Sequence, residues 1–91
     1  MSIEVRVPTV LRTHTDGEKR VTVEGATLAE AIDDLEARYP GLGDRLRDDE
    51  GNLARFVNVY VNDEDVRFLG GQQTELADGD QIAILPAVAG G

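Results

Sequence analysis

The chain's 91 residues suffice for one domain and leave no room for two. A domain of this size covers roughly 60–65% of the surface its unfolded chain exposes, enough for one core but not for a core plus a deep enclosed active site. Its 18 acidic against 9 basic residues give a formal charge of −9, which argues against nucleic-acid binding, since phosphates need a cationic face. That balance favours solubility and steering toward a basic partner surface. With no cysteine, a disulfide framework, a zinc–thiolate site and a thiol nucleophile are all excluded. The N-terminus lacks the charged and apolar regions of a secretory signal, and no apolar run approaches the roughly 18 residues of a membrane span. A cytoplasmic protein is expected.

Ile3, Val5 and Val7 alternate with Glu4, Arg6 and Pro8, and Val21 and Val23 repeat the pattern. Period two predicts half-buried strands. With the Asp16-Gly17 turn signal between them, residues 3–24 should form a β-hairpin. Leu28, Ala31, Ile32, Leu35 and Tyr39 then follow helical spacing. Thr27 and Glu30 form a capping box at the start, and Pro40-Gly41 should end the helix. Leu42 to Leu46 could add a turn, and residues 48–52 read as a charged loop. Val57, Val59 and Val61 predict a strand, Asn62 to Asp65 a turn, Val66 to Leu69 a short extended piece and Ala77 to Asp80 another turn. Ile82 and Ile84 mark the buried face of a last strand ended by Pro86. Hairpin, helix and further strands suit an α+β, ubiquitin-like β-grasp with a mixed sheet packed on one main helix. Residues 1–86 would be the domain and 87–91 a flexible Gly-Gly tail.

Few residues look catalytic. His14 is the single histidine, in a predicted loop without a serine or cysteine nucleophile beside it, and reads as solvated. The runs 48–50 and 63–65 lack the alternating ligand spacing of a calcium loop and read as solvated turns; no metal site is expected. Gly41-Leu42-Gly43 and Gly70-Gly71 have no following lysine to make a phosphate loop.

The unusual feature is the ending Ala87-Val88-Ala89-Gly90-Gly91. A terminal carboxylate that is to be activated must reach into another protein's active site. Gly90 and Gly91 allow backbone angles closed to other residues and leave the carbonyl carbon unshielded. Ala89 and Val88 are slim enough for a narrow channel. Ordering five residues costs about 5–10 kcal/mol. Burying Val88 returns only about 1.5–3 kcal/mol, and each backbone hydrogen bond about 1 kcal/mol. The folded body must therefore add a second contact surface, for which Phe56, Tyr60 and Phe68 are candidates.

The segments Val7-Pro8-Thr9-Val10-Leu11-Arg12, 56–68, Ala77-Asp78-Gly79-Asp80 and Leu85 through Gly91 resemble the MoaD/ThiS family of ubiquitin-like sulfur carriers across essentially the whole chain. The segment 61–68 is most similar to the branch that serves cysteine biosynthesis. The resemblance implies that an E1-like adenylyltransferase/sulfurtransferase activates the Gly91 carboxylate with ATP and converts it to a thiocarboxylate. It further implies a pyridoxal phosphate cysteine synthase that uses O-phosphoserine, and a zinc metallopeptidase that releases cysteine. The chain itself would be a carrier, not an enzyme, and ATP, pyridoxal phosphate and zinc would belong to those partners. Two neighbouring branches fit less well. The stretch from Gly41 to Asn52 makes the chain longer than a compact thiamine carrier, and residues 84–87 lack the aromatic and double-proline character common in molybdopterin synthase small subunits. A covalent protein modifier is a further alternative, with Lys19 as the single lysine for chain building, and so is an inert β-grasp interaction module.

Overall fold

A computed structural model describes residues 2–54 and 57–86. Five strands form one sheet: β1 (Ser2–Arg6), β2 (Arg20–Glu24), β3 (Val57–Val61), β4 (Glu64–Asp65) and β5 (Gln81–Pro86). Their order is β2-β1-β5-β3-β4, so the last full strand lies at the centre. It pairs parallel with β1 and antiparallel with β3. Helices α1 (Leu28–Arg38) and α2 (Pro40–Leu46) supply the second layer.

The expected periodicities produce this arrangement. Ile3, Val5, Val7, Val21, Val23, Val59, Val61, Ile82 and Ile84 are buried on one sheet face against Leu28, Ala31, Ile32 and Leu35 of α1 and Leu42 and Leu46 of α2. Thr27 caps α1 by accepting from Glu30 N at 3.3 Å. The Glu30 carboxylate reaches one residue beyond the usual box and accepts from Ala26 N at 3.0 Å, so it ties the entering chain to the helix.

Four expectations need correction here. The β1–β2 pair is antiparallel with Ser2 opposite Glu24 and Arg6 opposite Arg20, but its connection contains a 3-10 helix, Thr9–Thr15. Thr15 is buried there, its hydroxyl within hydrogen-bond reach of the Arg12 and Glu18 carbonyls, and Asp16 and Gly17 make the reversal at φ 55° and 85°. His14 is half-buried beside Gly41 rather than fully solvated. Pro40 stops α1 but also opens α2 at a first-turn position, where its missing N–H costs nothing. Val66–Phe68 is a 3-10 turn, not an extended piece, because the Asp65 carboxylate accepts from Arg67 N at 2.9 Å and caps it.

The charged loop and the turn over Ala77–Asp80 fall where expected, but the turn expected over Asn62–Asp65 is confined to Asn62 and Asp63, because Glu64 and Asp65 pair with β3 as β4. Asp48 Oδ1 accepts from Glu50 N and Asn52 N. Asn62 and Asp63 turn with positive φ, and Gly79 turns at φ 88°. The last of these turns is clasped to the start of the chain by Gly79 N donating to Ser2 O and Ser2 N donating to Asp78 Oδ1. Among the described residues no helix is long and apolar enough to cross a membrane.

Candidate functional site

The site is built around the end of β5. Val57 pairs with Pro86, so β5 is held on its β3 side up to the residue that precedes the glycine-ending segment. Pro86 thus ends β5 in the middle of the sheet. Val88, Ala89, Gly90 and Gly91 lie outside the described residues, as does Phe56.

The sheet face turned away from the helices carries the other components. Strand alternation puts Ile82 and Ile84 in the core and Ala83 and Leu85 on the outer face. In register, Leu85 sits opposite Asn58, Ala83 opposite Tyr60, and Tyr60 opposite Asp65. Leu85 is 48% exposed beside the exit. Arg67 spans the β3–β4 edge, donating from Nη2 to Asp65 Oδ2 at 2.7 Å and to Asn58 Oδ1 at 2.9 Å. The Arg67 side chain, and then its backbone N–H, hold the Asp65 carboxyl below the usual carboxylate range. In turn Asp65, foremost by its hydrogen bond, pushes the Arg67 guanidinium up, and Tyr60 contributes in the same direction.

Of the candidate partner-binding residues that can be placed, Tyr60 is half-buried on this outer face and Phe68 is 87% exposed on the 3-10 turn after β4. Phe68 therefore does not cover the core. Sequence reasoning passed over Leu85, although the in–out alternation of Ile82, Ile84 and Leu85 already assigns an apolar residue to the solvent face just before the exit. The Asp65–Arg67–Asn58 bridge had no comparable signal, because it depends on β3–β4 pairing. Exposed Val10 was likewise not singled out.

Among the described residues no group of three or more His, Asp or Glu could hold a metal ion. What the described surface offers is contact: a strand end, apolar Leu85 and Phe68, and a polar bridge.

This architecture is that of the ubiquitin-like β-grasp proteins. Residues 5–91 match the ThiS family, and the chain belongs to it. It is 58% identical over 93 aligned positions to the sulfur carrier protein CysO of Mycobacterium tuberculosis, with all of both chains covered. The crystal structure of that CysO superposes with a TM-score of 0.89 at 57% identity, covering 94% of this chain and 99% of the other. A chain of the Amycolatopsis orientalis BexX/CysO complex superposes with a TM-score of 0.91 at 60% identity, covering 98% and 99%.

Proposed function

We propose that this chain is a sulfur carrier whose Gly91 carboxylate is adenylated and converted to a thiocarboxylate that donates sulfur for cysteine biosynthesis from O-phosphoserine. The observation that carries this reading is the end-to-end similarity to the sulfur carrier CysO. The central place of β5, which ends at Pro86, supports it, because a segment that continues from there has the folded sheet on both sides.

The chemistry balances without any group in the folded domain. A carboxylate oxygen of Gly91 attacks the α-phosphorus of ATP and pyrophosphate leaves. Hydrosulfide supplied by the partner then attacks the acyl carbon and AMP leaves with one of the original carboxylate oxygens, so that sulfur replaces that oxygen. The carrier is a co-substrate in both steps, and catalysis belongs to an E1-like partner. The thiocarboxylate sulfur then replaces the phosphate of O-phosphoserine, a substitution for which a pyridoxal phosphate cysteine synthase would supply the chemistry. An S-to-N acyl shift leaves cysteine joined to Gly91 by an amide bond, and a zinc metallopeptidase hydrolyses that bond, which releases cysteine and restores the Gly91 carboxylate. Residues 87–91 act as the reaching segment, with Val88, Ala89 and Gly90 giving access. Leu85, Tyr60 and Phe68 add the contact that the energetics of a five-residue tail require. The complex of a similar CysO with BexX supports partner docking by this fold.

Intact mass spectrometry tests the proposal. After incubation with ATP, a sulfur donor and the adenylating partner, the chain should gain the mass difference between sulfur and oxygen. The product, given the cysteine synthase and O-phosphoserine, should then gain a cysteine residue at Gly91. Deleting Gly91 should abolish both changes and leave the melting temperature unaltered. Sulfur uptake by the deleted chain would refute the terminal-carboxylate mechanism. Turnover only with a molybdopterin synthase large subunit would move the chain to that branch.

A further inference from the structure

The strand register sorts the charges by end. Because β5 runs parallel to β1, with Arg6 beside Ala83, Pro86 ends β5 past the Arg6 end of β1. Arg20 lies directly opposite Arg6 on the same outer face. Lys19 is exposed one residue further on, its carbonyl accepting from Val7 N at 2.8 Å. Arg12 is drawn to this end by donating from Nε to Val7 O at 3.1 Å. The other end of the sheet holds Glu24 and the turns with Asp63 and Asp78.

In a chain of net charge −9, basic residues are thus gathered where the chain exits. Asp16 and Glu18 lie in the same connection, but they do not cancel Arg6, Arg12, Lys19 and Arg20. Glu4 approaches Arg20 at 3.7 Å. Arg6 makes no ion pair among the described residues. Like charges directly opposite on paired strands are destabilising, so the Arg6–Arg20 pair is unfavourable for the isolated domain. An acidic partner surface would remove that cost.

We propose that the exit end of the sheet is a basic docking face, carried by Arg6 and Arg20, that engages an acidic rim around the entrance to the adenylating partner's active site. This rests on the sulfur-carrier reading, from which the partner is taken. It reverses, at this end, the basic partner surface that overall charge suggests. The field of the domain then presents the exit end to the partner first and keeps the acidic end away.

The test measures kcat/KM for the carrier, from pyrophosphate release, at low and physiological salt. Arg6→Glu should lower kcat/KM about tenfold at low salt with kcat unchanged, and the gap should narrow as salt rises. The variant replaces a like-charge pair with an opposite pair, so its melting temperature should not fall. Adding Glu64→Lys restores the total charge, and the double variant should remain slow. Wild-type rates for Arg6→Glu at low salt, or recovery on adding Glu64→Lys, would overturn the proposal while leaving the carrier reading intact. If the wild-type chain is not adenylated, the carrier reading fails instead. A poly-glutamate peptide titration followed by amide chemical shifts then decides: shifts centred on residues 6, 19 and 20 sustain the basic face, and absent or scattered shifts overturn it.

Discussion

Asp80 shows how much one half-buried carboxylate can organise. Its Oδ2 accepts from Ala77 N at 2.8 Å and its Oδ1 from Asn62 Nδ2 at 2.9 Å, while Asn62 Oδ1 accepts from Gln81 N. One side chain thereby joins the turn after β3 to the turn before β5. The Ala77 N–H and then the Asn62 amide hold its carboxyl below the usual carboxylate range. Asp80→Ala should destabilise the domain by about 1–2 kcal/mol at pH 7 in urea unfolding. A depressed folded-state pKa means that the carboxylate's contribution is full above the unfolded value and disappears as pH falls through the lower folded one. The difference between wild type and variant should therefore hold at pH 7 and shrink from about pH 4 downward. Asp34 and Asp65 are lowered too, the first chiefly by the Glu24 N–H and the second by Arg67, so acid should weaken the wild type in the same range. A difference independent of pH would remove Asp80 from this role.

At the level of elements, α2 is the case in which local sequence and tertiary packing disagree. Its sequence, Pro40-Gly41-Leu42-Gly43-Asp44-Arg45-Leu46, has two glycines in seven residues and reads as punctuation. Burial of Leu42 and Leu46 overrides that preference. A Cβ at Gly43 would lie 2.6 Å from Glu36 Cβ, an atom fixed close to the α1 backbone. Gly43→Ala should therefore destabilise by about 1–2 kcal/mol, because overpacking outweighs the helix-propensity gain of about 1 kcal/mol. At Gly41 the added carbon would meet His14 Nδ1 at 2.7 Å, the far end of a side chain that can rotate. Gly41→Ala should be close to neutral, and equal losses at both positions in chemical denaturation would contradict this distinction. The same contrast explains what the sequence made legible. Strands β1, β2, β3 and β5 and helix α1 each repeat an apolar period over several residues, and they were readable in place. The 3-10 turns at Thr9–Thr15 and Val66–Phe68 have no such period. The second depends on one capping carboxylate, and β4 on pairing across a two-residue turn.

For the molecule as a whole, the family is written in both the linear sequence and the fold, whereas the contact surface is written only in register. The Gly90-Gly91 pair stands out in the sequence by residue type alone, and the role proposed for it needs no folded neighbours. Leu85, the Arg67 bridge and the Arg6–Arg20 pair come together only once β5 lies between β1 and β3. Net charge was legible and its distribution was not: a total of −9 conceals the Arg6–Arg20 pair beside the end of β5. This polarity arises from topology, since the parallel β1–β5 pair brings the Arg6 end of β1 beside the exit.

The same parallel pair also determines how the domain bears tension. A partner that grips the segment after Pro86 applies load along β5, and the β1–β5 bonds lie across that direction. Pulled between Ser2 and Pro86, these bonds share the load in shear and must fail together. Pulled between Ser2 and Glu24, which face each other at the open end of β1–β2, the pair can unzip one rung at a time. Single-molecule extension should show a clearly higher rupture force for the first geometry than for the second, and equal forces would refute the shear argument. In the proposed function, the segment that follows Pro86 is thus anchored to the strand best placed to resist a pull.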